Sequence, residues 1–441
     1  MLTLASSVSL AVLAVICKRA AGSWLFPPVL VAGYWSLVLL LLFLSKETFY
    51  HLTAQTLTVY MVGITAFTIG SLFSPATDSS ERFRISHERR KPYIDKVLSL
   101  GILISITLLP FYIRHLQMLS ETSGVSDFWV GLRYQTSVLD PVTGFGVWEY
   151  YVSLCSFLAV AKFYESDSTK RGRIETIALI VIALGVNMTT ASRLGALTLV
   201  FALVAIAIFK AGRVRVRTVA LGLVATLGVF GALALWLGKG ADRNSSWSEN
   251  IGSIAESIQL YLLGGPVAFD RYIQGFAEQE EGPRTFRFVL QLAGRLFDYD
   301  VTLPSSVLNY TPTPTPTNVY TAFFAYYSDF GLTGVAVIMG VMGFAFTTVY
   351  RLAKQGHPVW VIVYGYFAAY VFISVANEAF ISTTSVWIQV LFFATILYFV
   401  PLPQPASQGG APDRNIIPVE LRDTKAGDVG DVVATEPSRL L

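Results

Sequence analysis

Apolar residues run along this chain in long blocks separated by short polar turns. A helix rises about 1.5 Å per residue, so a hydrocarbon core about 30 Å thick needs roughly 17–25 apolar residues to cross it. Blocks of that kind lie near 2–17, 24–44, 54–73, 97–113, 143–164, 174–190, 194–209, 218–237, 328–350, 358–376 and 383–400. The pattern predicts an all-α polytopic membrane protein with about eleven transmembrane helices. The stretch 174–209 holds a single basic side chain, Arg193. As one helix it would run to about 54 Å, nearly twice the core thickness. We therefore read two short helices turning at Ala191-Ser192-Arg193.

Two regions break the pattern. The 81 residues 238–318 form one large extramembrane loop with two amphipathic stretches. Ile251, Ile254, Ala255, Ile258 and Leu262 recur at helical spacing, as do Phe286, Val289, Leu290, Ala293 and Phe297. Pro283 suits the first turn of the second helix, and both helices are expected to lie on the membrane or to cap the bundle. The run Thr311–Thr317 alternates threonine with proline. Its prolines remove amide donors and disfavour helix before them, which predicts a stiff, extended segment. That segment serves either as a spacer or as a ligand lining, with Asn318 as an N-cap for the next helix. The tail 401–441 is rich in proline and glycine with scattered charges, and is expected to be disordered on the cytoplasmic side. The chain thus divides into helices one to eight (1–237), the loop (238–318), helices nine to eleven (319–400) and the tail.

Composition agrees: 54% of residues are apolar and 14% charged, against roughly 25% charged in a soluble domain. Charge sorted by loop sets the orientation. Met1–Cys17 carries no charged side chain and Lys18-Arg19 follow it, unlike a cleavable signal peptide. Basic residues after the first span hold that end in the cytoplasm. The alternation then puts 22 Lys and Arg in cytoplasmic segments and 10 outside, six of these in the long loop. The expected topology is N-out, C-in.

Several chemistries drop out. The two cysteines, Cys17 and Cys155, sit in apolar blocks as packing residues, and the four histidines are scattered. No CxxC, HExxH or glycine-rich phosphate loop occurs, so neither a protein-built metal site nor a cofactor is expected. Nine acids and six bases in the loop do not make a groove for nucleic acid.

Ionisable groups among apolar blocks are costly, and so are functional candidates. They are Glu149, Lys162, Arg193, Asp329 and Glu378, and all but Lys162 fall at the outer ends of their spans. Arg114, Arg133 and Asp270-Arg271 join that outer group, while the opposite surface is read as an anchor. Each has a plainer role beside the functional one. Arg193 either snorkels to lipid phosphate or binds a substrate phosphate. Arg133 is a surface arginine or a ligand, and Asp270-Arg271 a local ion pair or a site. Arg284, Arg287, Gln291 and Arg295 share one helix face, as a lipid-headgroup stripe or a contact for a lipid-linked pyrophosphate. Asp329 and Glu378 are helix-end carboxylates or catalytic ones.

The stretch Thr317-Asn-Val-Tyr-Thr-Ala-Phe-Phe-Ala-Tyr-Tyr-Ser-Asp-Phe-Gly331 resembles the re-entry segment of the O-antigen and oligosaccharide repeat-unit polymerases, the Wzy-type family. Thr190-Ala-Ser-Arg-Leu-Gly195 is similar to that family's Ser-Arg-Gly-type turn, with Leu194 interposed before Gly195. Leu263-Gly-Gly-Pro266 with Phe269-Asp270 is a further likeness. The resemblance implies a metal-independent, GT-C-like glycosyltransferase of the bacterial inner membrane. It would transfer the growing glycan from undecaprenyl pyrophosphate onto a new undecaprenyl-pyrophosphate-linked repeat unit at the periplasmic face. Membrane lipid and a chain-length regulator protein are the other implied partners. On this reading Arg193, with Arg133 or Arg271, clamps the pyrophosphate, because a planar guanidinium binds phosphate oxygens bidentately. Asp329 or Glu378 takes the acceptor proton. Arg287, Arg295 and Asn318 contact substrate, and Tyr320, Phe324, Tyr326 and Tyr327 either stack on sugars or pack the core. An O-antigen ligase, and a flippase or other transporter of the same lipid-linked glycan, are the alternatives. A ligase of that type relies on a loop histidine, which 238–318 lacks, and a transporter predicts inverted repeats, of which none is visible.

Overall fold

A computed structural model describes residues 1–75, 81–135, 145–166, 169–190, 193–237, 246–280, 282–299, 301–305 and 307–399. Helices α1 (Leu2–Ala21), α2 (Pro27–Leu44) and α3 (Ala54–Leu72) precede a long α4 (Glu81–Thr122) and a short α5 (Phe128–Tyr134). Then come α6 (Trp148–Glu165), α7 (Lys170–Thr189), α8 (Arg193–Ala211) and α9 (Val216–Leu237). The loop holds α10 (Trp247–Gln259), α11 (Gly265–Ile273) and α12 (Arg287–Phe297), followed by strands β1 (Thr311–Thr313) and β2 (Thr315–Thr317). The chain ends its described part with α13 (Ala322–Lys354), α14 (Pro358–Ile373) and α15 (Thr384–Phe399).

Most of each apolar block predicted above falls on one of these helices. The start of the 143–164 block lies outside the described residues, and its helix α6 is not among the helices long and apolar enough to cross a membrane. Eight helices among the described residues are long and apolar enough to cross a membrane: α1, α2, α3, the 90–122 part of α4, α7, α8, α9 and α13. The shorter α14 and α15 are also apolar. The molecule is a multi-pass α-helical membrane protein. Its surface says the same, because Leu221, Leu223, Val224, Val337 and Val341 are more than 45% exposed, which suits lipid and not water. The predicted disordered tail and residues 191–192 of the predicted turn lie outside the described residues.

The spans pack through small residues and aromatic rings. A Cβ on Gly70 of α3 would overlap the Gly340 carbonyl of α13, and one on Gly343 would overlap the Phe67 carbonyl. With lipid as solvent, close backbone approach of this kind is what holds helices together. Above it Trp35, Tyr60 and Phe323 are buried and in mutual ring contact, with centroids 4.8–5.2 Å apart.

Several local expectations need correction. The second loop helix begins at Arg287, not near Pro283, so Arg284 precedes the helix and does not share its stripe. The Thr-Pro run is not a single extended spacer but a two-stranded antiparallel hairpin pairing Thr311 with Thr317. Its Thr311, Thr313 and Thr317 side chains are buried and its prolines exposed, since proline fits an edge position where no amide donor is needed. Asn318 does not cap the following helix; the cap position of α13 is Thr321. That helix starts earlier than the predicted span and breaks at Gly331, whose φ of 61° is open to glycine at no steric cost. Asp329 therefore ends a short helical segment before the break and does not stand at a helix start.

The two amphipathic helices part company. Ile254, Ile258 and Tyr261 of the α10 region pack on a cluster formed by Met188, Leu197, Val200 and Phe230, so α10 caps the ends of α8 and α9. By contrast α12 buries none of its residues and exposes Val289, Leu292, Leu296 and Phe297.

Candidate functional site at the loop end

The loop is stitched to the bundle by polar groups, beginning with Asp270. This carboxylate is fully buried, and its Oδ1 accepts from the Thr53 amide at 2.8 Å, Thr53 Oγ1 at 2.7 Å and Thr56 Oγ1 at 2.6 Å. Gln274 Nε2 donates to its other oxygen. Asp270 thus serves the free donors at the start of α3, where an anion is favoured by the helix dipole. It is not in a local ion pair with its neighbour, because the Arg271 guanidinium lies over Tyr50 and Phe276 at 5.0 and 4.0 Å. Asp270→Ala would strand at least three donors at roughly 1–3 kcal/mol each. We expect a clear drop in the melting temperature of the purified protein, and an unchanged melting curve would show the tie to be dispensable.

Glu378 is equally engaged. It is 6% exposed, and one carboxylate oxygen accepts from Tyr326 Oη at 2.7 Å and from the Phe380 and Ile381 amides at 2.9 Å. Its second oxygen accepts from the Ser382 amide at 2.7 Å. The carboxylate thereby folds the turn between α14 and α15 around itself and ties it to α13. Asp329 plays the matching part for the loop: its Oδ2 accepts from the Arg284 and Thr285 amides at 2.9 and 2.7 Å. The Arg284 side chain turns back to the Glu280 and Ser305 carbonyls. Burial lowers its pKa, with Asp329 and Glu280 opposing the shift. Arg287 donates to the Pro304 carbonyl, while Arg295 stands exposed.

The aromatic residues of the Thr317–Gly331 stretch face inward. Tyr320, Phe324 and Tyr326 are buried. Tyr320 Oη accepts from Gln279 Nε2 at 2.7 Å and pairs with Thr311 Oγ1 at 2.5 Å, so it locks the hairpin to the loop. Tyr327 is half-buried, accepting from Gln55 Nε2 at 3.1 Å. Asn318 is half-buried beside the hairpin.

Arg193 has the most concentrated surroundings. It opens α8, is 2% exposed, and donates to Ser257 Oγ at 2.5 Å. Its guanidinium lies over the rings of Phe230 and Tyr261 at 5.0 and 4.9 Å. Arg133 is carried by α5, whose Trp129 packs against the cluster that contains Phe230. A buried guanidinium and a helix N-terminus thus stand together, with α5 alongside, a combination that favours an anion. Ser257 and Tyr261 escaped the sequence reading. Ser257 lies on the face of α10 near Ile254 and Ile258, and Tyr261 follows four residues on, in the π-helical turn Leu260–Gly264 that continues α10; that spacing was the available signal.

The candidates accordingly form separate clusters. Arg193 lies with Ser257, Phe230 and Tyr261, Asp329 joins Arg284, and Glu378 pairs with Tyr326. The opposite end is not a bare anchor either. Lys162 is buried and pairs with Glu175 at 2.6 Å, and buried Glu165 accepts from Tyr398 Oη at 2.9 Å. Comparison of the chain with protein-family models, with curated proteins and with solved structures finds no match.

Proposed function

We propose that the chain polymerises lipid-linked oligosaccharide repeat units at the membrane face carrying the 238–318 loop. The growing glycan would move from a polyprenyl pyrophosphate to the next lipid-linked repeat. The observation that carries this reading is the Arg193 cluster: a buried guanidinium at a helix start, roofed by the aromatic rings of Phe230 and Tyr261, with α5 and its Arg133 packed alongside. A departing pyrophosphate needs its charge spread over fixed donors, and such donors act most strongly where water is excluded. Ser257 of α10 and Tyr261 just beyond it close over Arg193 and supply that exclusion. The Thr317–Gly331 resemblance points to the same substrate class. Asp329 and Glu378 enter the reading as groups that hold the shape of the site, since each carboxylate is already engaged by amide donors. On this reading the face with the loop is periplasmic, the membrane is the bacterial inner membrane, and a chain-length regulator protein is a partner.

A glycan gel from a deletion strain tests the proposal. Lipid-anchored cores capped by a single repeat are the expected product. Uncapped cores would point instead to a ligase or a flippase, and a normal ladder would remove the chain from glycan assembly.

A further inference from the structure

Helix α12 stands apart from the rest of the loop end. None of its eleven residues is buried, although most of them are apolar. On the helical period Val289, Leu292, Ala293, Leu296 and Phe297 form one face, which Phe286 extends, and Arg287, Gln291 and Arg295 lie opposite. A face of that breadth is normally packed against something. Here Leu296 is 69% and Phe297 79% exposed.

The place of α12 beside the spans says what covers it. The ring of Phe286 lies 6.1 Å from that of Phe330, which stands immediately before the Gly331 break in α13. Both rings are themselves exposed. Arg351 lies about 30 Å further along α13 at the rise of a helix, and it donates to the Ser74 carbonyl just past α3. A guanidinium is costly in hydrocarbon, so Arg351 marks one boundary of the apolar core. The core is about 30 Å thick, which puts Phe330 at the other boundary. Between them α13 exposes Val337 and Val341. Helix α12 also approaches α15, which exposes Ile388 and Phe392. The apolar face of α12 therefore starts at the level where α13 leaves the hydrocarbon.

The polar face is turned the other way, towards the rest of the loop. Arg287 donates to the Pro304 carbonyl, and Gln291 and Arg295 line one recess with Tyr299, Val301 and Leu303. The helix carries two arginines and no acid, a charge that suits phosphate.

We propose that α12 lies in the plane of the bilayer at the loop face, with phospholipid as its partner. Val289, Leu292, Leu296 and Phe297 sit among the first acyl carbons, and Arg295 lies level with the lipid phosphates. An interfacial helix of this kind sinks its apolar face about 5–10 Å into the headgroup–acyl boundary. Lipid then holds one side of the loop, while Asp329 ties the residues before α12 to α13. The contact needs only a bilayer, so it is independent of the polymerase reading.

The test uses the full chain in vesicles of phosphatidylglycerol and phosphatidylcholine, with a fluorophore on Leu296→Cys, Val289→Cys or Gln291→Cys. The native cysteines are buried, and the wild-type chain taken through the same labelling is the blank. A phospholipid bearing a nitroxide near the top of its acyl chain should quench the labels at 296 and 289 several-fold more than the label at 291. Aqueous iodide should do the reverse. Because α12 buries none of its residues, these substitutions leave the fold intact, and either apolar-face site carries the test if the other fails. Labels at 296 and 289 as open to iodide as the label at 291 would place the face in water. Labels shielded from both quenchers would show that protein, such as a second copy of the chain, covers it. Either result overturns the placement.

Discussion

Arg193→Ala is expected to abolish long glycan chains while leaving the protein at its normal level in the membrane. Arg193 opens α8, where the helix dipole adds to its positive charge. Its contacts with the Ser257 hydroxyl and with the faces of Phe230 and Tyr261 fix the plane of the guanidinium. Loss of a preorganised donor to a leaving group costs on the order of 100- to 1,000-fold in rate. Arg193→Lys separates charge from geometry. It preserves the positive charge but not the bidentate fork, so a partial ladder of shortened chains is expected from it. Quantified glycan gels, read beside the melting temperature of each purified variant, give the answer. Full-length chains from the alanine variant would remove Arg193 from the mechanism.

The second large effect separates the two carboxylates. Glu378→Gln should destabilise the protein, whereas Asp329→Asn should lower activity with the protein level intact. Glu378 is almost wholly buried and accepts four hydrogen bonds through two oxygens. An amide there offers one oxygen and turns an NH2 group towards donors, leaving buried N–H groups unpaired at roughly 1–3 kcal/mol each. The turn between α14 and α15 and its tie to Tyr326 should loosen together. Asp329 is half-buried and accepts two amides at Arg284 and Thr285. Asparagine retains one acceptor oxygen, so the loop stays docked but less firmly, and extension slows without loss of fold. Thermal melts and extension rates on the same samples distinguish these outcomes. Complete inactivity of either variant at unchanged stability would return the role of base to that carboxylate.

The helical architecture was legible in the chain because burial in lipid acts on each segment by itself. A span must satisfy its own backbone hydrogen bonds and present apolar side chains to hydrocarbon, so its length and composition suffice to find it. For the same reason the amphipathic stretch of α10 and the helix pair either side of Arg193 could be placed from spacing alone. The gathering of Arg193, Asp329 and Glu378 near span ends also followed from the cost of charge in hydrocarbon.

What those groups touch is a property of pairs, and pairs are set by packing. Nothing local to Asp270 distinguishes an ion pair with Arg271 from a bond to Thr53, more than two hundred residues away. Nothing in a Thr-Pro repeat announces that it folds on itself, because that pairing is held by Tyr320 and Gln279 from elsewhere. Glu378 reads as a helix-end acid until the turn closes on it. Hydrophobic burial is decided residue by residue along the chain. Hydrogen-bond partners are chosen only when distant backbones meet, and at the loop end of this protein that tertiary choice made the site.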